Sequence, residues 1–167
     1  YFRSTRAHNT IGIDDADQSA MLGPFMWGER ATGRCLDWRS DGPLARVVAE
    51  HDGYLRLADP VKHRRGLEMD GRARTFTITD TLEMAGEHYV RLCFHVSEHA
   101  RVSRSGPSQF IVAVAGGTAT LNLDSQLTAI MREGSDDPIG GWVSRGYHRK
   151  VPAVTIEASM TGRGPLT

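Results

Sequence analysis

The chain has 167 residues, with 20 Lys and Arg balanced by 20 Asp and Glu, 40% hydrophobic residues and 24% charged ones. That is the size and mix of one ordinary globular domain with a core of its own. A neutral total argues against a dedicated nucleic-acid binder, which carries a basic excess, and no apolar run approaches the roughly 18–20 residues that cross a bilayer as a helix.

Tyr1 is not Met, and the first ten residues are polar and strand-like, without the residue order of a signal peptide. A motif as chemically loaded as His8-Asn9-Thr10 so near the start leads us to expect further chain upstream. Asp14-Asp15-Ala16-Asp17 reads as an acidic turn, since Asp tolerates turn geometry. Its spacing is not that of a calcium-binding EF-hand. Gly23-Pro24-Phe25-Met26-Trp27-Gly28 follows, and then two cysteines in apolar, strand-like settings, Arg34-Cys35-Leu36 and Leu92-Cys93-Phe94. These are two buried thiols or one disulfide, and spacing does not choose between them. Trp27, Trp38 and Trp142 lie in or beside strand-like segments and are expected to be buried.

Further along, period-two alternation dominates. Phe76 and Ile78 share one face of Thr75–Thr79, and Leu92, Phe94 and Val96 share one face of Arg91–Val96. Asp70-Gly71 is expected to turn a hairpin between 63–69 and 72–79, and Gly116-Gly117 one between 110–115 and 118–123. Gln126–Arg132 comes nearest to a helical pattern but is short. Gly140-Gly141 precedes a strand over 142–147, and 153–159 is the last strand. The expected fold is all-β: an antiparallel β-sandwich of roughly ten to twelve strands in one domain over residues 1–167.

Several residues could carry chemistry. His8, at a strand end, suits a metal, but one imidazole makes no site. Glu50-His51-Asp52-Gly53-Tyr54 followed by His63-Arg64-Arg65 gathers groups able to bind a carboxylate and move protons. Arg64 and Arg65 must point to opposite faces of a strand, and Tyr54 could equally be a core aromatic. His95 and His99 have a metal-pair spacing that a strand followed by a turn would pull apart. Ser144–Lys150 is a basic, aromatic surface segment. The cations are almost all Arg (only Lys62 and Lys150 are Lys), which suits planar acidic ligands; codon usage in a GC-rich genome is the alternative reason. There is no Gly-x-Ser-x-Gly elbow, phosphate loop or His-Glu-x-x-His.

Taken in order, Arg6-Ala7-His8-Asn9-Thr10, Asp17-Gln18, Trp27-Gly28, His51-Asp52-Gly53-Tyr54, His63-x-Arg65 and Gly141-Trp142-Val143-Ser144 resemble the C-terminal domain of heparinase II/III-like polysaccharide lyases over nearly the whole chain. Asp14-Asp15 departs from the Asp-Gly usual in that family. The resemblance implies a supersandwich-like β domain packed on an upstream α/α toroid that this chain lacks, in an enzyme that cleaves acidic polysaccharide by β-elimination. It also implies that His8 is a ligand of a zinc ion shared with upstream strands. Arg6, Asn9, His51, Tyr54, His63 and Arg65 are then candidate substrate-binding residues, the compartment is periplasmic or extracellular, and no nucleic acid or membrane is a partner. The competing reading is a non-catalytic carbohydrate-binding or structural sandwich.

Overall fold

The structure, a computed structural model, describes every residue from Tyr1 to Thr167. Apart from one 3-10 turn at Thr5–Ala7, all regular structure is strand. Antiparallel pairing runs throughout the named ladders, as the alternation requires. There are fifteen strands, several only two to four residues long, and the long ones account for the ten to twelve expected. The single domain expected from length resolves into two compact units, Tyr1–Asp15 with Tyr89–Met160, and Ala16–His88 with Thr161–Thr167.

In the first unit, β1 (Ile11–Ile13), β6 (Glu87–His95), β15 (Val154–Arg163) and β10 (Thr128–Glu133) form a sheet in the order β1-β6-β15-β10. β7 (Arg101–Gly106), β8 (Gln109–Val114) and β9 (Gly117–Asn122) form a second, three-stranded sheet. Two small hairpins complete the unit, β11 (Ser135–Asp136) with β12 (Ile139–Gly140), and β13 (Trp142–Gly146) with β14 (Arg149–Pro152). The core is built from Ile11, Ile13, Val90, Leu92, Phe110, Ala129, Ile156 and Ala158. Complete burial of Phe110 or Ile156 contributes roughly 1.5–3 kcal/mol each. β15 is covered on both faces: Ile156 and Ala158 point one way, and the buried polar residues Thr155 and Glu157 point the other.

In the second unit, β2 (Gly33–Asp41), β3 (Leu44–His51), β4 (Lys62–Asp70) and β5 (Thr75–Glu83) form one meander in sequence order. Its register decides the character of each face. Trp38, Val47, Leu67 and Ile78 lie in one cross-strand row, and Ala45, Met69 and Phe76 in the next row on that face. Two and four residues along the strands, the same face carries Ala49, Arg65 and Asp80, then His51, His63 and Leu82. The opposite face is charged: Arg46 pairs with Glu68, and Glu50 is surrounded by Arg34, Lys62 and Arg64. Hydrogen bonds from Arg34, then from Arg64 and Lys62, hold the Glu50 carboxyl down at about 2.

Several expectations need correction. Trp38 is 68% exposed and Trp27 42% exposed, because the cover over the apolar face ends before the Trp38 row and Trp27 sits in a surface loop. Cys35 is exposed and Cys93 buried, and both are free thiols. The turn at Asp70-Gly71 is not a two-residue one. Asp70 pairs with Thr75, Asp70 Oδ1 accepts the amides of Arg72 and Ala73, and the left-handed residue is Arg74. Between β8 and β9 the two-residue loop is Ala115-Gly116, one position earlier than expected. Gln126–Arg132 contributes to strand β10 and not to a helix.

Gly141 combines a left-handed backbone with a close backbone crossing. Its φ of 73° is left-handed, and a Cβ there would lie 2.6 Å from the Arg132 carbonyl oxygen and 2.7 Å from the Glu133 Cα. Its own carbonyl accepts from the amides of Gly134 and Ala153. Gly42 is also left-handed but has open space around it. Gly141→Ala should therefore cost more than about 2 kcal/mol, against about 1 kcal/mol for Gly42→Ala. Chemical denaturation of both variants checks this; equal losses would mean that the close approach is not the constraint.

Candidate functional site

The residues expected to carry function gather in two places, one in each unit. In the second unit, His51, Tyr54, His63 and Arg65 meet on the covered end of the sheet face. The Gly53 amide donates to His51 Nδ1 at 3.1 Å. His51 Nε2 lies 2.9 Å from His63 Nδ1, and His63 Nε2 lies 2.6 Å from Asp80 Oδ1. Arg65 clamps Asp80 with Nε on Oδ1 at 2.7 Å and Nη2 on Oδ2 at 2.8 Å.

The two ends of this chain assign every proton in it. A backbone amide can only donate, so His51 Nδ1 accepts, and a neutral His51 carries its proton on Nε2. That proton goes to His63 Nδ1, and His63 Nε2–H goes to the carboxylate. Burial, then the neighbouring His63, pulls His51 down to about 4. Burial works against the Asp80 charge, but the bonds from His63 and Arg65 outweigh it and leave Asp80 below its ordinary value. Tyr54 has no exposed surface; its ring stands edge-on to His51, 5.5 Å between centroids, with its hydroxyl 3.4 Å from the Ala16 carbonyl. His63 is 2% exposed. These four residues, expected at a ligand, thus have their polar atoms engaged in an internal network. Arg64 points to the other face, to Glu50, as alternation demands.

In the first unit, Arg6 lies in the 3-10 turn, and His8 and Asn9 sit on the loop that joins this turn to β1. Arg6 Nη2 binds both oxygens of the buried Glu157 at 2.9 and 3.1 Å, and Arg132 Nε binds the same carboxylate at 3.0 Å. The Arg6 charge is therefore committed inside the fold. His95 holds the loop from two sides: its ring Nε2 lies 3.0 Å from the Arg6 carbonyl, and its backbone amide donates to Asn9 Oδ1 at 2.6 Å. Since a carbonyl only accepts, His95 Nε2 carries the proton, and Nδ1 accepts from the Thr155 hydroxyl at 2.9 Å. Burial lowers the His95 pKa, in keeping with a neutral ring.

His8 is exposed, and its Nδ1 lies 2.8 Å from the Ser4 carbonyl. By the same rule Nδ1 carries the proton, and the lone pair of a neutral ring is on Nε2. No group of three or more His, Cys, Asp or Glu is arranged to hold a metal ion. Zinc takes three or four ligands, so what this chain fits is one oriented ligand and not a complete zinc site. His99 is exposed, on Glu98, and does not join His95.

Sequence reasoning passed over Asp80 and Glu157 and weighed His95 as half of a metal-pair spacing with His99. Glu157 had a legible signal, an acid set among the apolar Val154, Ile156 and Ala158 of the last strand. Asp80 had none, because only the register of β4 on β5 sets it opposite Arg65.

The proton-ordered chain makes stability depend on pH. The folded state keeps His51 neutral down to about 4, while the unfolded chain takes up that proton near the ordinary 6.5. Stability should be full above that range and fall as pH drops from 6.5 toward 4, with Asp80 adding to the loss only at lower pH. Denaturation midpoints between pH 7 and 4.5 test this; His51→Gln should flatten the slope, and an unchanged slope would refute the assignment. Asp80→Ala, which strands Arg65 and His63, should cost roughly 3 kcal/mol or more.

Residues 1–166 match the family model described as heparinase II/III-like, C-terminal. No curated protein matches the chain. Among solved structures, heparan sulfate lyase HepC from Pedobacter heparinus aligns with a TM-score of 0.74 at 13% identity, over 99% of this chain and 23% of its own. A heparinase III aligns with a TM-score of 0.71 at 18% identity, over 98% of this chain and 23% of its own. The chain thus spans under a quarter of the length of these solved proteins, and at such identities the likeness is one of fold. The whole-chain match, together with the antiparallel β architecture, places this chain in the heparinase II/III-like C-terminal family.

Proposed function

We propose that this chain is the C-terminal sandwich of a polysaccharide lyase that cleaves uronate-containing polysaccharide by β-elimination. Such a reaction neutralises the uronate carboxylate, removes the C5 proton, forms the C4–C5 double bond and expels the protonated C4 oxygen. Electrostatic stabilisation of the carbanion-like state is its main demand. The observation that carries the reading is His8: an exposed imidazole whose proton is fixed on Nδ1 by Ser4, on a loop held from two sides by His95. That arrangement directs an Nε2 lone pair outward, for a proton or for a metal.

In this reading the chain supplies His8 and Asn9 to an active site completed by an upstream toroid. Arg6 acts through its ion pair with Glu157, which ties the loop to the central strand. Where zinc is bound, His8 Nε2 is one ligand and the others come from upstream strands; the ion would fix the loop against them. The His51–His63–Asp80–Arg65 network serves the same enzyme by stiffening the second unit. The enzyme's compartment is proposed to be periplasmic or extracellular.

The test is ultraviolet detection of unsaturated oligosaccharide from uronate polymers, with the 167-residue chain and with the polypeptide extended upstream. The extended form should yield product, the 167 residues none, and His8→Ala in the extended form should lower the rate by two or more orders of magnitude. No product from the extended form on any uronate polymer would overturn the proposal, as would product from the 167 residues alone. Elemental analysis adds an independent readout: stoichiometric zinc is expected in the extended form and lost with His8→Ala.

A further inference from the structure

The hairpin β13–β14 in the first unit is built unlike a simple connection. Gly146 pairs with Arg149, so Tyr147 and His148 form a two-residue turn, and His148 takes the left-handed φ of 55°. Glycine or asparagine would adopt the left-handed backbone at the His148 position more readily. The Tyr147 ring is 95% exposed, so it contributes almost nothing to the core. Fold stability therefore explains neither residue.

The turn borders an open cavity of about 700 Å³ lined by Phe2, Ser144, Tyr147, His148, Arg149 and Lys150, together with Gly146. That volume lies within the range of small-molecule sites. Phe2 is itself 41% exposed, so two aromatic rings line the cavity.

The charges sort unequally. Arg145 is held bidentately by Glu98, with Nε and Nη2 each 2.9 Å from an oxygen, and that bond is the first cause holding the Glu98 carboxyl at about 2. Lys150 binds Asp136 Oδ1 at 2.6 Å and stacks on Trp142, 3.8 Å from the ring centroid. Arg149 is exposed and has neither an acidic partner nor a ring beneath it. One planar cation with uncommitted donors thus stands on the wall of a cavity with two exposed aromatic rings.

We propose that this hairpin is a binding subsite for an anionic sugar residue, separate from the His8 loop. Arg149 takes the carboxylate or sulfate through its guanidinium fork, and Tyr147 and Phe2 take the apolar face of the ring. His148 shapes the turn that presents Tyr147, and Lys150 lends long-range attraction while remaining on Asp136. The inference stands on the hairpin itself and does not need the lyase reading. A uronate and a sulfated sugar offer the same anionic group, and the probes separate them.

The test is calorimetric titration of the 167-residue chain with an oligouronate, a sulfated heparan oligosaccharide and a neutral cello-oligosaccharide of equal length. At least one anionic probe should bind, weakening with salt, and the neutral one should bind at least about tenfold less tightly. Tyr147→Ala and Arg149→Ala should each weaken binding by roughly tenfold, and Arg149→Lys should fall between, because it keeps the charge but loses the fork. Arg46→Ala, on the charged face of the other unit, should leave affinity unchanged. All these positions are exposed, and circular dichroism verifies that each variant is folded. No binding of either anionic probe, equal binding of the neutral one, or unchanged affinity in both hairpin variants would overturn the proposal. Failure of the elimination test leaves this binding untouched, so the two readings fail separately.

Discussion

A pleated strand sends successive side chains to opposite faces, and in the four-stranded sheet of the second unit everything else follows from where the cover over one face stops. On the covered end, His63 is buried, His51, Arg65 and Asp80 are half-buried, and the four satisfy one another. They do so in a single order, running from the Gly53 amide to the Asp80 carboxylate. On the uncovered end the same rows carry Trp38, Met69 and Phe76 into solvent. The reverse face carries paired charges, with Glu50 among three cations. One register thus yields a buried polar network, an exposed apolar end and a charged surface. A slip of one residue would exchange these faces.

The first unit uses buried polar groups differently, to hold a loop. Glu157 and Thr155 lie on the polar side of β15, and both reach the segment before β1, Glu157 through Arg6 and Thr155 through His95. A buried carboxylate facing two guanidinium groups is favourable only when its geometry is satisfied on both sides. Here Arg6 and Arg132 provide this. The result is a loop with little freedom and an outward imidazole at His8. Pre-organisation of that kind is what a site shared with another segment of chain requires, because each part must present its groups before they meet.

Not every surface feature of the first unit is explained by packing. Arg145 and Lys150 have internal partners, whereas Arg149 beside them has none. His148 occupies a left-handed turn position that glycine or asparagine would adopt more readily, and Tyr147 before it is almost wholly exposed. These choices cost the fold something and return nothing to it, which is the usual mark of a surface kept for a ligand. The membership of the chain in a family of polysaccharide-lyase domains gives this surface a plausible chemical context, though its assignment rests on the hairpin.

The sequence by itself determined the all-β class, most strand positions, the opposed directions of Arg64 and Arg65, and the motif order that marks the family. These are local properties: a period of two, a turn residue and a spacing are carried by neighbours along the chain. It also brought His51, Tyr54, His63 and Arg65 under suspicion together, since their types and spacing are visible in one stretch. Only the tertiary structure decided that they form an internal chain ending on Asp80, that His95 holds the His8 loop, and that Trp38 and Cys35 are exposed. It also decided that the chain divides into two units. Each of these depends on which residues, distant in sequence, the strand register brings opposite one another and on where burial ends. Alternation predicts that a side chain points to a face, but the presence of anything on the far side of that face is a property of the folded whole.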